Sequence, residues 1–185
     1  MYIFIIIWIC FFLSEILLLR IFRSKAPASK ELDKSSLKFV WVTIIISISV
    51  GVLAMTYVKA PISRAIFIGY LGLFIIICGI FIRFSAIRTL GKFFTVNLAI
   101  HDNQRLIKSG LYKYIRHPSY TGSLLSFLGL GVSFNNWISL LIIIIPVLIS
   151  FIYRINIEEQ LMLELFGEEY SEYKKSSRRL IPLIY

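Results

Sequence analysis

Five apolar runs divide the chain, and the segments between them hold nearly all of its charge. The runs cover residues 2–19, 39–58, 65–82, 118–134 and 137–153. Each is close to the ~20 residues that a helix needs to cross a hydrocarbon core, and the last two are slightly short. The pattern predicts an all-α integral membrane protein with about five transmembrane helices in the lipid bilayer.

The last two runs are separated only by Asn135 and Asn136. Such a short link predicts a tight antiparallel hairpin of two helices. Gly122, Gly129 and Gly131 lie in the first arm, and small residues let helix backbones approach closely inside a membrane. We therefore expect these glycines to bring the two arms of the hairpin together.

Composition and charge support the membrane class and add an orientation. The chain is 58% hydrophobic and 16% charged, whereas soluble domains have ~25% charged residues. Of its 20 Lys and Arg residues, 18 lie on one side of a five-span topology. The positive-inside rule then places the N-terminus outside, and the first and third loops and the C-terminus in the cytoplasm. This arrangement accounts for the net charge of +10 without a nucleic-acid partner.

Both cysteines and one acidic residue lie inside the apolar runs. Cys10 and Cys78 lack metal-ligand spacing, so we interpret them as core thiols and predict no metal site.

The first run has no basic segment before it and no cleavage-site pattern after it, which predicts a retained span. Glu15, inside that run, is costly in lipid. It either pairs with another buried polar group or faces a neighbouring subunit, and the oligomeric state stays open.

The C-terminal segment predicts a helix that continues the last span out of the membrane. Ile157, Leu161 and Leu165 recur every four residues and form one apolar stripe. Gly167 suits a helix stop, and residues 168–175 predict a second short helix. In the first helix, Arg154 and Glu158 are four residues apart and share a face.

The stretch GLYKYIRHPSYTG, residues 110–122, crowds positive charge against a helix start. Pro118 is tolerated in the first turn of a helix, where its missing N–H costs nothing. A helix start with its free N–H groups is a natural anion site, and Arg116 lies beside it. The alternative is an interfacial anchor, in which tyrosines and Arg116 lie at the level of the lipid headgroups.

Taken together, these motifs resemble those of the isoprenylcysteine carboxyl methyltransferase family, which is related to integral-membrane phospholipid methyltransferases. The similarity covers about residues 85–182. It is carried by LGKFFT (90–95), QRLIKSGLYKYIRHPSYTG (104–122), RINIEEQLMLELFGEEYSEYKK (154–175) and RLIP (179–182). The resemblance implies two regions. Residues 1–84 form transmembrane helices 1–3, and residues 85–185 form a methyltransferase region. Its cytoplasmic cofactor pocket is built from the linker before the fourth apolar run (about residues 83–117) and from the C-terminal helices.

The resemblance also implies a cofactor, S-adenosyl-L-methionine, and the residues that hold it. The candidate cofactor-binding residues are Asn97, Gln104, Arg105, Leu106, Ile107, Tyr112, His117, Pro118, Ser119, Tyr120 and Glu158. Arg116 and Arg154 are the candidates for catalysis, and Arg154 also for substrate binding. A carboxylate acceptor is anionic at pH 7 and needs no general base, so the protein's task is positioning and desolvation.

The acceptor and two other functions stay open from the sequence. The compact form and the Ile- and Lys-rich usage are typical of a prokaryotic plasma-membrane protein, in which prenylated proteins are not expected. A phospholipid or a small lipophilic acid is therefore an alternative to an isoprenylcysteine. An NADPH-dependent sterol-type reductase would share the ending with Ile181, Pro182 and Tyr185. A non-enzymatic membrane scaffold is the third alternative.

Overall fold

The computed structural model describes residues 2–21, 31–65, 67–94 and 105–180. These residues form helices and connecting turns, with one isolated β-bridge between Ile115 and Arg178. The helices are α1 (Tyr2–Ile21), α2 (Glu31–Tyr57), α3 (Phe67–Leu90), α4 (Pro118–Ser133), α5 (Trp137–Phe166) and α6 (Glu168–Ser176). The predicted all-α class is confirmed.

Three stretches are long and apolar enough to cross a membrane, judged by length and composition over the described part of the chain. They are Ser35–Tyr57, Phe67–Leu90 and Trp137–Phe166, and Ile3–Leu18 is a shorter apolar helix. Large apolar side chains such as Phe74 cover their outer surfaces. An outer surface of this kind suits lipid and not water, so the protein is an integral membrane protein. The number of spans stays a prediction.

Two helices extend beyond the apolar runs that predict them. Helix α2 begins at Glu31, eight residues before the apolar run, and α3 continues to Leu90. Arg83 and Arg88, which the sequence places in a linker, therefore lie in the last turns of α3. Apolar periodicity marks the membrane-facing part of a helix and does not mark where its backbone hydrogen bonds end.

Glycines bring α3 and α4 into backbone contact. A Cβ added to Gly122 would lie 2.6 Å from the backbone N of Arg83, and one added to Gly129 would lie 2.6 Å from the N of Ile76. These two glycines therefore face α3, and the expectation that they face α5 is wrong. Gly131 alone of the three faces α5, 2.7 Å from the Leu140 side chain.

The turn between α4 and α5 is held by two asparagines, which we call the asparagine end. The side chain of Asn136 accepts hydrogen bonds from the N–H groups of Ile138 and Ser139, at 3.0 and 3.1 Å, and so caps the start of α5. Its amide also donates to the Val58 carbonyl at 2.6 Å. Asn135 supplies the left-handed residue of the turn, with φ of 49°. The predicted hairpin is confirmed.

Helix α5 is longer than a membrane needs. Its 30 residues span about 45 Å, while a hydrocarbon core is about 30 Å thick. Gly167, with φ of 52°, ends the helix, and α6 follows at once. The predicted extension of the last span and the short second helix are both confirmed, and the extension carries the charged residues of the candidate site.

Candidate active site

The C-terminal segment returns to the start of α4 and pairs with it. The Arg116 N–H donates to the Arg178 carbonyl at 2.7 Å, and the His117 N–H donates to the Arg179 carbonyl at 3.1 Å. His117 then becomes the residue before the first turn of α4, with Pro118 at the first helical position. Through this pairing, the chain's last described segment fixes the motif Arg116–His117–Pro118 against the end of α5.

Glu159 is the centre of a buried ion cluster. Its side chain is only 3% exposed, and Arg116 Nε and Arg179 Nη2 each lie 2.8 Å from one of its oxygens. Lys174 Nζ lies 3.6 Å away. The Arg116 guanidinium also donates to the carbonyl of Ser177. Arg116 is thus bound to protein groups that join α4, α5 and the C-terminal segment. Its catalytic role stays a prediction.

Glu158, the neighbouring carboxylate, belongs to a different network. The Tyr120 hydroxyl donates to Glu158 Oε1, and Arg154 Nε donates to the Tyr120 oxygen at 3.0 Å. Arg154 Nε also lies 3.4 Å from Glu158 Oε1, which confirms that the two side chains share a face of α5. Arg154 Nη1 reaches α2 and donates to Ser36 Oγ at 2.8 Å.

His117 lies between the two carboxylates. Its Nδ1 is 3.6 Å from Glu158 Oε2, and its Nε2 is 3.5 Å from Glu159 Oε1. Burial by itself lowers the pKa of His117, but the two carboxylates outweigh it and raise the pKa above the ordinary 6.5. The buried Nε2 has no hydrogen-bond partner within the described residues. The imidazole therefore has a polar atom that a bound ligand could satisfy.

Three buried tyrosines, one from the linker and two from α6, also border the site. The Tyr173 hydroxyl donates to the Tyr112 carbonyl at 2.6 Å. Burial raises the pKa of all three, Tyr112, Tyr170 and Tyr173, and that of Tyr173 to about 12. Their hydroxyls therefore stay protonated at neutral pH, and their rings are aromatic surfaces for a ligand.

His117, Tyr120, Arg154 and Glu158 line one cavity of about 210 Å³, together with the three tyrosines. Apolar side chains line it as well, among them those of α1 and α2, namely Leu18, Leu37, Val40, Trp41 and Ile44. A cavity of this kind suits a ligand with a polar and an apolar part.

Most of the residues predicted from the motifs lie at this cavity. Those that line it are Arg105, Leu106, Ile107, Tyr112, Arg116, His117, Ser119, Tyr120, Arg154 and Glu158. Pro118 is fully buried at the start of α4. Asn97 and Gln104 lie outside the described residues. The structure brings these groups together, and their individual roles stay predictions.

The sequence does not predict two charged residues of the lining, Glu15 and Arg83, which form an ion pair of 3.1 Å. The sequence leaves two alternatives for Glu15, and the structure gives it a partner within the chain. The signal that could have found this pair was a lone acid and a lone base at corresponding depths of separate spans, since intramembrane charges usually pair.

Comparison with known proteins assigns the chain to a family. A sequence model of the phospholipid methyltransferase family matches residues 67–169, more than half of the chain. The chain belongs to this family. The match begins at α3, which the sequence division at residue 84 places with the N-terminal helices, so that division stays a prediction.

Named relatives of the chain confirm the resemblance to isoprenylcysteine carboxyl methyltransferases. A probable protein-S-isoprenylcysteine O-methyltransferase from Oryza sativa subsp. indica is 36% identical over 64% of this chain and 63% of its own length. Protein-S-isoprenylcysteine O-methyltransferase A from Arabidopsis thaliana is 35% identical over 61% of this chain and 58% of its own length. The chain thus spans about three fifths of these relatives, which are eukaryotic. The prokaryotic origin expected from composition stays a prediction.

A solved structure shows the same fold. It is that of the eukaryotic intramembrane Ras methyltransferase, isoprenylcysteine carboxyl methyltransferase. The match has a TM-score of 0.60 and 25% sequence identity, and it covers 85% of this chain and 55% of the other. The comparison therefore includes most of the described helices, while the other protein has a large part that this chain does not match.

Proposed function

We propose that the chain is an S-adenosylmethionine-dependent membrane methyltransferase that methylates a carboxylate on a lipophilic acceptor, of the isoprenylcysteine kind. The observation that carries this proposal is one cavity that is lined both by residues of the family's motifs and by apolar side chains, those of α1 and α2 among them. Such a cavity can receive a polar methyl donor and an apolar acceptor together.

The residues at the polar end fit the methyl donor. Glu158 offers a carboxylate to an amino group or a ribose hydroxyl, and His117 Nε2 is a buried atom still without a hydrogen bond in the described part of the chain. The ring of Tyr112 suits a sulfonium through cation–π attraction. When bound, S-adenosylmethionine supplies a methyl group already activated by its sulfonium charge.

The side chains of the protein position the acceptor beside the methyl donor. An acceptor carboxylate is ionised at neutral pH, so no residue has to remove a proton from it. Arg154 is held on both sides, by Tyr120 and by Ser36, and a guanidinium fixed in this way can orient a carboxylate. The buried tyrosines Tyr112, Tyr170 and Tyr173 cover part of the cavity, and lower access of water strengthens each of these interactions.

We also propose the orientation and organisation of the chain. The N-terminus lies outside, and the end of the hairpin with His117 and Glu158 faces the cytoplasm, since 18 of the 20 basic residues lie on that side. Residues 85–185 form the methyltransferase region, and α3 contributes to it through its glycine contacts with α4. The active site is thus at the cytoplasmic surface of the membrane.

The first test is ligand stabilisation of the detergent-purified chain. S-adenosylmethionine and S-adenosylhomocysteine at 100 times the dissociation constant should each add about 2.7 kcal/mol to the free energy of unfolding. Glu158→Gln should abolish this gain, and the exposed Glu172→Gln should keep it. If NADPH alone stabilises the protein, the methyltransferase proposal is wrong and a reductase is favoured. If none of the three ligands stabilises it, a nucleotide-type cofactor is rejected.

A further inference from the structure

A second charged group lines the same cavity, formed by residues other than those proposed to hold the methyl donor. Arg83 of α3 and Glu15 of α1 form an ion pair with Nη2 and Oε2 3.1 Å apart. Their side chains are 16% and 7% exposed. Arg83 Nη1 also donates to Ser123 Oγ of α4, and Arg83 and Glu15 both line the cavity.

Arg83 differs from the two other guanidinium groups that line the cavity. Arg116 is bound by Glu159 and by main-chain carbonyls, and Arg154 by Tyr120, Glu158 and Ser36. Within the described residues, Arg83 has two polar partners, Glu15 and Ser123, and its buried Nε makes no hydrogen bond. Buried donors are nearly always satisfied, so a free one beside a cavity points to a group that binds there.

The surroundings of the pair specify what that group is attached to. Leu18 lies one helical turn beyond Glu15 on α1 and faces the same cavity. Val40, Trp41 and Ile44 of α2 complete an apolar wall. A cationic group beside an apolar wall, both within membrane-spanning helices, matches an amphiphile with an anionic head and a hydrocarbon tail.

We infer that Arg83 is a specificity-determining residue that, together with Arg154, binds the anionic head of the lipophilic acceptor. This inference rests on the proposed function and accounts for how the cavity would distinguish a carboxylic acid from a neutral amphiphile. Glu15 holds the guanidinium when no acceptor is present, because an unpaired charge at this depth is costly. The acceptor's carboxylate then competes with Glu15 for Arg83, and a neutral amphiphile has no means to do so.

This competition predicts opposite effects for the two partners of the pair. With farnesylated N-acetylcysteine as acceptor, Arg83→Gln should raise KM by about tenfold or more, since it removes a charge-assisted hydrogen bond. Glu15→Gln should lower KM, because it removes the competing carboxylate. Arg83→Lys, which can keep the ion pair with Glu15, should give an intermediate KM. The exposed Arg88→Gln in the same helix is the matched control and should leave KM unchanged.

Equal increases of KM in Arg83→Gln and Glu15→Gln would overturn the inference and leave the pair as a tie between α1 and α3. Stabilisation by S-adenosylmethionine, measured for each variant, separates this outcome from misfolding or loss of the cofactor site. A binding measurement that needs no turnover supplies the second readout. S-farnesylthioacetic acid should stabilise the wild type more than its primary amide does, and Arg83→Gln should remove that difference.

The two readouts also separate failure of the inference from failure of the proposed function. If S-adenosylmethionine does not stabilise the wild type but the acid is still preferred over the amide, the methyltransferase proposal fails and the anion site stands. If S-adenosylmethionine binds and the acid and amide bind equally, the methyltransferase proposal stands and the role of Arg83 is rejected.

Discussion

The two ends of the α4–α5 hairpin satisfy their polar groups with different chemistry. At the asparagine end, two neutral side chains bond to nearby backbone groups and cap a helix. The opposite end, which we call the charged end, buries His117, Arg154 and Glu159 and holds the half-buried Glu158 beside them. Neutral caps of this kind stabilise a fold, whereas buried charges are costly unless they are fully paired. The charged end is therefore where we expect function to have shaped the structure.

Within the charged end, the two adjacent carboxylates also differ in the partners that they bind. Glu159 is surrounded by Arg116, Arg179 and Lys174, and it joins three parts of the chain. Glu158 lines the cavity, and its polar partners among the described residues are the Tyr120–Arg154 pair and His117. Glu159 thus mainly stabilises the fold, and Glu158, the preceding residue, can bind a ligand.

The largest expected effect is the loss of the Glu159 cluster. Glu159→Ala leaves Arg116 and Arg179 without their buried carboxylate, so it should lower the free energy of unfolding by about 3–5 kcal/mol. Denaturant unfolding of the detergent-solubilised chain measures this change. The exposed Glu172→Ala is the control and should change stability by less than about 0.5 kcal/mol. A small effect at Glu159 would contradict its assignment as the centre of the cluster.

A smaller effect is expected at the asparagine end. Asn136→Ala removes the cap of α5 and should lower the free energy of unfolding by about 1 kcal/mol. It should leave the stabilisation by S-adenosylmethionine unchanged, because the substitution lies at the opposite end of the hairpin. Asn156→Ala, exposed on the same helix, provides the comparison without a cap. Loss of stabilisation by S-adenosylmethionine in Asn136→Ala would contradict the assignment of ligand binding to the charged end alone.

The smallest effect is a pH dependence that originates at His117. Its pKa in the folded state is raised above 6.5, so the folded state binds the proton more tightly than the unfolded state does. The resulting stability is fully present below about pH 6.5 and is lost as the pH rises through the raised pKa. Unfolding free energies from pH 5.5 to 9 should show this decline in the wild type and a flatter profile in His117→Gln. Identical profiles would mean that His117 does not titrate in this range.

The sequence predicts this molecule best where the signal is local. Apolar runs locate the helices, Gly167 marks the end of α5, and the four-residue spacing of Arg154 and Glu158 predicts their contact. These features depend on residues within about one helical turn, where the geometry of an α-helix fixes which side chains meet.

What the sequence does not predict are partners far apart along the chain. Arg116 and Glu159 are separated by 43 residues, and no local spacing relates them. The glycines of α4 predict close helix packing, but they do not identify α3 as the neighbour. The Glu15–Arg83 pair combines both difficulties, because its two charges come from helices whose relative position only the packed structure supplies.

The unequal lengths of the hairpin's two arms have a consequence for the surrounding lipid. Helix α4 has 16 residues and is about 24 Å long, shorter than a hydrocarbon core of about 30 Å, while α5 exceeds that thickness. A short helix beside a long one creates hydrophobic mismatch, which a bilayer relieves by thinning locally. We expect the depth of His117 below the lipid headgroups to follow acyl-chain length. Bilayer thickness would then determine how far the acceptor's carboxylate must move along the membrane normal to reach the methyl donor.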